Sequence, residues 1–195
     1  MRPDVRRGAE GVFINRYLTL SRLCARRYDV TWSDFLDAAG VHLPNGSVVI
    51  HLGCGTSAWG AQLARAGCFL LDTDIDAALL ASSRRRVGDT APGQLCFAAV
   101  DALNPGVRPG CACCVLEKGT LDALRSGDDG GIERVREAVT RAMRLLRPGG
   151  VMLSVSARPK HLVECLDGMV AIRSIPVGAG SASGVLCLTP LGMPG

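Results

Sequence analysis

The chain has 195 residues and a mass of 20.4 kDa, with 48% hydrophobic and 21% charged residues. That composition excludes a disordered chain, and the length suits one domain that buries roughly 70% of its unfolded surface without disulfide support. The net charge of +4 is the charge of residues 1–30, where seven Arg face Asp4, Glu10 and Asp29; the remainder is neutral, which argues against a general nucleic-acid binder.

In chain order, residues 1–46 precede the first strand and are expected to form a helical extension or lid over one face or edge of the sheet. Residues 47–195 are expected to form the main domain. Within the extension, residues 12–27 are an Arg-rich amphipathic stretch flanked by Glu10 and Asp29. It reads either as a mitochondrial import signal or as part of the lid, leaving a cytoplasmic or a mitochondrial location. No run of 18 apolar residues occurs, so no membrane partner is expected.

Val48–Leu52 is a β-rich run that ends at Gly53-Cys54-Gly55-Thr56-Ser57. Ser57–Ala66 reads as a helix stopped by Gly67, and Cys68–Thr73 as a second strand. Asp76 is placed to cap a helix that runs through Arg86; Arg84-Arg85-Arg86 suits a helix C-terminus better than a phosphate site. Leu95–Val100 and Cys111–Leu116 are the third and fourth strands. Ile132, Val135, Val139, Ala142 and Leu146 recur at helical spacing, and Glu137 can pair with Arg141 at i,i+4. Pro148-Gly149-Gly150 is expected to break that helix and lead into Val151–Val155. A short helix at Pro159–Leu166 and strands at Val170–Ile175 and Gly184–Thr189 complete the pattern. Strands alternating with helices predict βαβ units and a mostly parallel sheet, with an antiparallel strand in the terminal hairpin.

Nine cysteines, an odd and scattered set, fit reduced thiols better than a disulfide framework. Cys111, Cys113 and Cys114 lack a second ligand pair at zinc spacing, so no metal site is expected and they read as small hydrophobes of a buried strand.

Ligands of such sheets bind outside the carboxyl ends of the strands. Gly53 and Gly55 let backbone approach a ligand, and with Ala58 they satisfy the loose dinucleotide pattern G-x-G-x-x-A. Asp74, 21 residues after Gly53, can accept two ribose hydroxyls, or can serve as a cap. Asp101 ends the third strand in the same manner. Acids after both strands suit a nucleoside with its ribose at the second and its adenine at the third. A nicotinamide dehydrogenase is disfavoured because no Tyr-x-x-x-Lys set appears.

The Gly-Cys-Gly turn, Asp74, Asp101 and the Leu146-Arg147-Pro148-Gly149-Gly150 turn together resemble class I, seven-strand S-adenosylmethionine-dependent methyltransferases. Val115-Leu116-Glu117-Lys118-Gly119-Thr120-Leu121-Asp122-Ala123-Leu124 is similar to the E/D-K-G-T-L-D-A-L signature of the branch containing elongation-factor lysine methyltransferases and citrate synthase lysine methyltransferase. The resemblance spans roughly residues 10–165. It implies a Rossmann-like α/β fold: a mostly parallel seven-stranded sheet with helices on both faces.

The same resemblance implies that S-adenosyl-L-methionine is the cofactor. Gly53 and Gly55 would contact its methionine part. Asp74 would hold the ribose, Ile75 would pack beside the adenine, and Asp101 and Ala102 would face the adenine edge. Glu117 and Lys118 would stand beside the reactive centre, Glu117 as the catalytic residue; the alternative is that Glu117 and Lys118 pair and brace their loop. Phe13, Tyr17 and Trp32 look like a degenerate counterpart of the family's N-terminal aromatic segment, or pack a lid onto the sheet. His51 departs from the acid that many class I enzymes carry there. The substrate implied is a protein lysine, on a translation factor or a metabolic enzyme. The competing reading is a non-catalytic subunit of a large ribonucleoprotein assembly such as a ribosomal particle. Neither an Asn-Pro-Pro-aromatic motif nor a Pro-Cys nucleophile is present to indicate nucleobase methylation.

Overall fold

The computed structural model describes residues 32–88, 94–126, 130–176 and 184–191. Phe13, Tyr17 and the amphipathic stretch at 12–27 lie outside the described residues.

In chain order the elements are α1 (Trp32–Ala39), β1 (Val48–Leu52), α2 (Trp59–Arg65), β2 (Phe69–Asp74), α3 (Ala77–Val87), β3 (Leu95–Ala99), β4 (Ala112–Lys118), α4 (Thr120–Arg125), α5 (Gly131–Leu145), β5 (Leu146–Ser156), α6 (Pro159–Leu166), β6 (Val170–Pro176) and β7 (Gly184–Pro190). The seven strands form one sheet in the order β3-β2-β1-β4-β5-β7-β6. β1 pairs parallel with both β2 and β4, so successive connections leave β1 in opposite directions and open a crevice outside its carboxyl end. β7 is antiparallel to β5 and to β6, as the terminal hairpin predicts.

Two apolar clusters sandwich the sheet. One packs Val135, Val139, Ala142 and Leu145 of α5, with Leu162 and Leu166 of α6, against Ile50, Val115 and Met152. The other packs Trp32 and Phe35 of α1 and Trp59 and Leu63 of α2 against Val49, Leu116 and Leu153. The strands alternate between these clusters because successive side chains point to opposite faces. Ile132 marks the rim of the α5 stripe and is 37% exposed. Glu137 and Arg141 pair on the solvent side at 3.2 Å.

Helix signals map closely onto the fold. Asp76 caps α3, its Oδ1 accepting from the Ala78 and Leu79 N–H groups at 2.8 and 3.1 Å. Pro159 opens α6. α5 stops at Leu145, ahead of the Pro148-Gly149-Gly150 turn expected to break it. Arg147 precedes a proline and is sterically biased away from helical backbone. The turn is absorbed into the start of β5, where pairing with β4 shifts register between Ala112 and Cys114. Cys113 and Cys114 are buried in β4, and the cysteines of the described residues are free. No helix among the described residues is long and apolar enough to cross a membrane.

Candidate active site

β1 delivers the chain to the crevice at Gly53, whose φ of +61° is a conformation that favours glycine. A Cβ there would come within 2.1 Å of Thr120 Oγ1. Thr120 opens α4 and donates from Oγ1 to Leu52 O at 3.0 Å, locking the end of β1 to the end of β4. The turn that follows is held from several sides. Gly55 N–H donates to Asp74 Oδ2 at 2.8 Å, and Cys54 N–H to Thr73 O at 2.8 Å. From α3, Ser83 Oγ donates to Gly55 O at 3.0 Å and Arg86 donates to Thr56 O at 3.0 Å. Burial and the carboxylates of Asp72 and Asp74 push the Cys54 thiol up, so it remains a neutral packing group.

Beside this turn lies a cavity of about 810 Å³ including its open mouth. Gly53 and Thr120 form one end. Asp74, Ile75 and Leu79 come from the β2–α3 junction, Asp101 and Leu103 from the loop after β3, and Leu124 from α4. The lining is mainly apolar, with carboxylates at the ends of β2 and β3, which suits a flat heteroaromatic group carrying hydroxyls. Ile75 is 71% exposed, an apolar side chain with one face left to a ligand.

Asp74 is buried, and burial pushes its pKa up while the N–H groups of Asp76 and Gly55 pull it down. Its Oδ1 accepts from Asp76 N at 3.0 Å and its Oδ2 from Gly55 N at 2.8 Å. A carboxylate has about four lone-pair sites, so each oxygen keeps capacity for one further donor, as a ribose diol requires. Asp101 is exposed and accepts from Leu103 N at 2.8 Å, which fixes the loop that forms the cavity wall. Asp74, Ile75, Asp101, Ala102 and Gly53 are thus brought together on one cavity, while Gly55 acts one layer behind it through Asp74. These residues fit the nucleoside part of S-adenosylmethionine.

Glu117 stands at the carboxyl end of β4, next to the end of β1. It is 1% exposed and does not reach the cavity. Its Oε2 accepts from the Thr120 and Leu121 N–H groups at 2.8 and 3.1 Å, and the Ser154 hydroxyl meets its Oε1. Burial pushes its pKa up to about 8, reinforced by Asp122 and opposed by the Ser154 and backbone hydrogen bonds. This is the bracing alternative with different partners: Glu117 serves the start of α4, and Lys118 lies 5.1 Å over the Trp59 ring rather than against Glu117. Asp122 extends the brace, accepting from Ser156 Oγ at 2.7 Å and Ala157 N at 2.8 Å. Trp32 packs its ring on Trp59 with centroids 5.5 Å apart and does not line this cavity, which is the lid-packing alternative for that residue.

Sequence reasoning missed α4 and the contributions of Thr120, Ser83 and Arg86. Thr120 belongs to the Glu117–Leu124 signature, and Ser83 and Arg86 lie at i,i+3 on one face of α3. It also left His51 without a partner. In the fold, His51 Nδ1–H donates to Asp72 Oδ1 at 3.0 Å, both residues being buried, and Nε2 has no partner among the described residues. The register pairs these two residues directly across β1 and β2.

A methyltransferase-domain family profile matches residues 50–154. The chain is 30% identical over 145 residues to a Xenopus laevis protein named eEF1A lysine and N-terminal methyltransferase, an alignment covering 70% of this chain and 21% of that protein. A Mus musculus protein named EEF1A lysine methyltransferase 4 is 29% identical over 120 residues, covering 58% of this chain and 47% of that protein. The chain thus spans less than half the length of these curated relatives. Among solved structures, a TehB-like SAM-dependent methyltransferase from Corynebacterium glutamicum aligns with a TM-score of 0.64 at 17% identity, covering 93% of this chain and 99% of that one. The N-methyltransferase NodS from Bradyrhizobium japonicum, solved with S-adenosyl-L-homocysteine, aligns with a TM-score of 0.63 at 16% identity, covering 91% and 99%.

Proposed function

This chain belongs to the class I S-adenosylmethionine-dependent methyltransferases, and from that membership we propose that it methylates a lysine side chain of a protein, a translation factor of the elongation factor 1A type. The observation that carries the reading is the cavity at the carboxyl ends of β1, β2 and β3, with Asp74 and Asp101 on its polar side and Ile75 on its apolar side. The names of the sequence relatives support the choice of acceptor. The ribonucleoprotein alternative rests on the basic charge of residues 1–30, which lie outside the described residues.

When bound, S-adenosylmethionine supplies an electrophilic methyl group that passes in line to a nucleophile. Asp74 would hold the ribose, and Ile75, Leu79 and Leu103 would shield the adenine from water. Thr120 and the Gly53 turn fix the end of the cavity that they form. A lysine acceptor has an ordinary pKa of about 10.4, so the neutral amine at pH 7.4 is about one part in a thousand, a cost of roughly 4 kcal/mol. Desolvation in the crevice and a nearby positive charge both lower that pKa. The carboxylates that line the cavity, Asp74, Asp76 and Asp101, are each engaged by backbone N–H groups. They hold structure and ligand; positioning and desolvation then carry the transfer, without a side-chain base from the described residues.

The test is transfer of labelled methyl from the cofactor to purified elongation factor 1A, with the product located by mass spectrometry. Label on a lysine side chain is the expected result. Label appearing only on RNA or a small molecule, under conditions where the protein binds S-adenosylhomocysteine, overturns the choice of acceptor.

A further inference from the structure

We infer that Ser83 and Arg86 of α3 are positioning residues for the cofactor, acting as a clamp on the carbonyl side of the Gly53–Ser57 turn. The inference rests on the S-adenosylmethionine reading of the cavity and adds to it residues that lie outside the lining.

The turn must present backbone N–H groups, not carbonyl oxygens, to a ligand that carries a carboxylate. A peptide plane is rigid, with its C=O and N–H pointing in opposite directions. Fixing a carbonyl oxygen on one side therefore fixes the following N–H on the other. Gly55 O accepts from Ser83 Oγ at 3.0 Å, and Thr56 O accepts from Arg86 Nη2 at 3.0 Å. The two clamp residues are themselves joined, Arg86 Nη2 donating to Ser83 Oγ at 3.3 Å. On its other side the Gly55 N–H is taken by Asp74 Oδ2 at 2.8 Å. The peptide planes on both sides of Gly55 are consequently set, one by Asp74 and the other by Ser83, so Thr56 N–H is the donor turned away from α3. Ser57 N–H, which follows the carbonyl held by Arg86, is taken by Cys54 O at 3.0 Å, and Arg86 therefore acts by holding the shape of the turn.

Placement on the helix makes this possible. Asp76 fixes the start of α3 beside the cavity, and Ser83 follows seven residues later, two turns along the same face. Ser83 is 3% exposed, a buried hydroxyl with a dedicated acceptor. Arg86 is exposed, yet its guanidinium reaches 30 residues back along the chain to the turn. Its neighbours Arg84 and Arg85 also sit in the last turn of α3, where cations complement the helix dipole. Of the triplet, Arg86 is the member that hydrogen-bonds to the turn, so it carries a role that dipole placement does not explain.

The clamp acts at the turn end of the cavity and leaves the adenine end untouched. Its loss therefore weakens ligands that carry the amino-acid tail more than ligands that stop at the nucleoside. The experiment measures S-adenosylhomocysteine and adenosine affinities and melting temperature for the parent protein and for Ser83→Ala, Arg86→Gln, Arg86→Lys and Arg85→Gln. Ser83→Ala and Arg86→Gln are expected to lose about tenfold in S-adenosylhomocysteine affinity while adenosine changes by less than about twofold, because each removes a bond of the turn and none of the nucleoside pocket. Arg86→Lys should fall between parent and Arg86→Gln, and Arg85→Gln should match the parent. Equal weakening of both ligands, or of neither, overturns the clamp. Failure of the parent protein to bind S-adenosylhomocysteine overturns the cofactor reading itself. Arg86 is exposed, so its variants remain informative even if Ser83→Ala lowers the melting temperature.

Discussion

At Asp74, two backbone N–H donors occupy one position on each carboxylate oxygen and leave the remaining lone pairs toward the cavity. Asp74→Asn keeps the shape and removes the charge that a ribose diol would meet. Hydrogen bonds to a charged group contribute about 1.5–3 kcal/mol, so S-adenosylhomocysteine affinity should fall roughly 10- to 150-fold, read by calorimetry. Asp72, two residues earlier and on the opposite duty, points to His51 beneath α2. Asp72→Ala should lower the melting temperature by orphaning a buried histidine while sparing affinity per folded molecule. The reverse pattern would mean that the ribose acid is Asp72. Gly60 supplies a related test. Alanine in a helix normally gains up to about 1 kcal/mol over glycine. Here a Cβ would stand 2.2 Å from Asp72 Oδ2, a buried oxygen of a carboxylate already held by His51. Gly60→Ala should therefore lower the melting temperature, inverting the usual sign; an increase would show that the Asp72 side chain can move aside.

On the scale of elements, the β4–α4 junction concentrates most of the buried polar chemistry. Glu117 receives the first N–H groups of α4, Thr120 ties that helix to β1, and Asp122 ties it to the end of β5. Gly119 lies at φ +77° between strand and helix, which lets the chain reverse tightly enough for Glu117 to reach Thr120 and Leu121. The signature around Glu117 is thus a joint that sets the cavity wall through Thr120, Ala123 and Leu124. Its pH behaviour follows from burial. The Glu117 pKa of about 8 in the fold stands above its ordinary 4.5, so the native state keeps a proton that the unfolded chain releases. The stability contributed by this group is complete below the ordinary value and is lost as pH rises toward 8. Glu117→Gln mimics the protonated form, so its melting temperature should fall less than the parent's between pH 4 and pH 9, limits that lie about half a unit below and about one unit above that window. Parallel melting curves across this range would show that Glu117 is ionised in the fold. Methyl transfer per folded molecule should survive the substitution, since Glu117 does not open into the cavity.

For the whole molecule, the sheet order places the chain reversal between β1 and β4, and the cavity sits at the carboxyl ends on that side. A ligand there touches the turns that follow β1 and β3, the end of β2, α3 and α4 at once, so binding should stabilise the cooperative unit rather than one loop. At 100 times its dissociation constant, S-adenosylhomocysteine should add about 2.7 kcal/mol. For a domain of this size each kcal/mol raises the melting temperature by about 2–4 °C, so a rise of roughly 5–11 °C is expected. Absence of any shift at millimolar ligand would remove the cofactor from the cavity.

Much of the fold was readable because its signals are local. The periodicity of α5, the Asp76 cap, Pro159 and the β-branched run of β1 act within one element, and the glycine turn with Asp74 and Asp101 carries its meaning in spacing along the chain. The alternation of strands and helices and the placing of Asp74 and Asp101 at strand ends follow from these, whereas Ile75 and Ala102 enter through the family resemblance. What a carboxylate faces is a different kind of fact, because it depends on which strands are neighbours and on their register. Glu117 and Asp74 both end strands at the same sheet edge, yet Asp74 lines the cavity and Glu117 is sealed behind α4 against Ser154. The His51–Asp72 pair, the Ser83–Arg86 grip on the turn and the stacking of Trp32 on Trp59 likewise join residues distant in the chain. Only the tertiary structure decided them, because burial and hydrogen-bond partnership are set by packing between elements and leave no periodic trace within one.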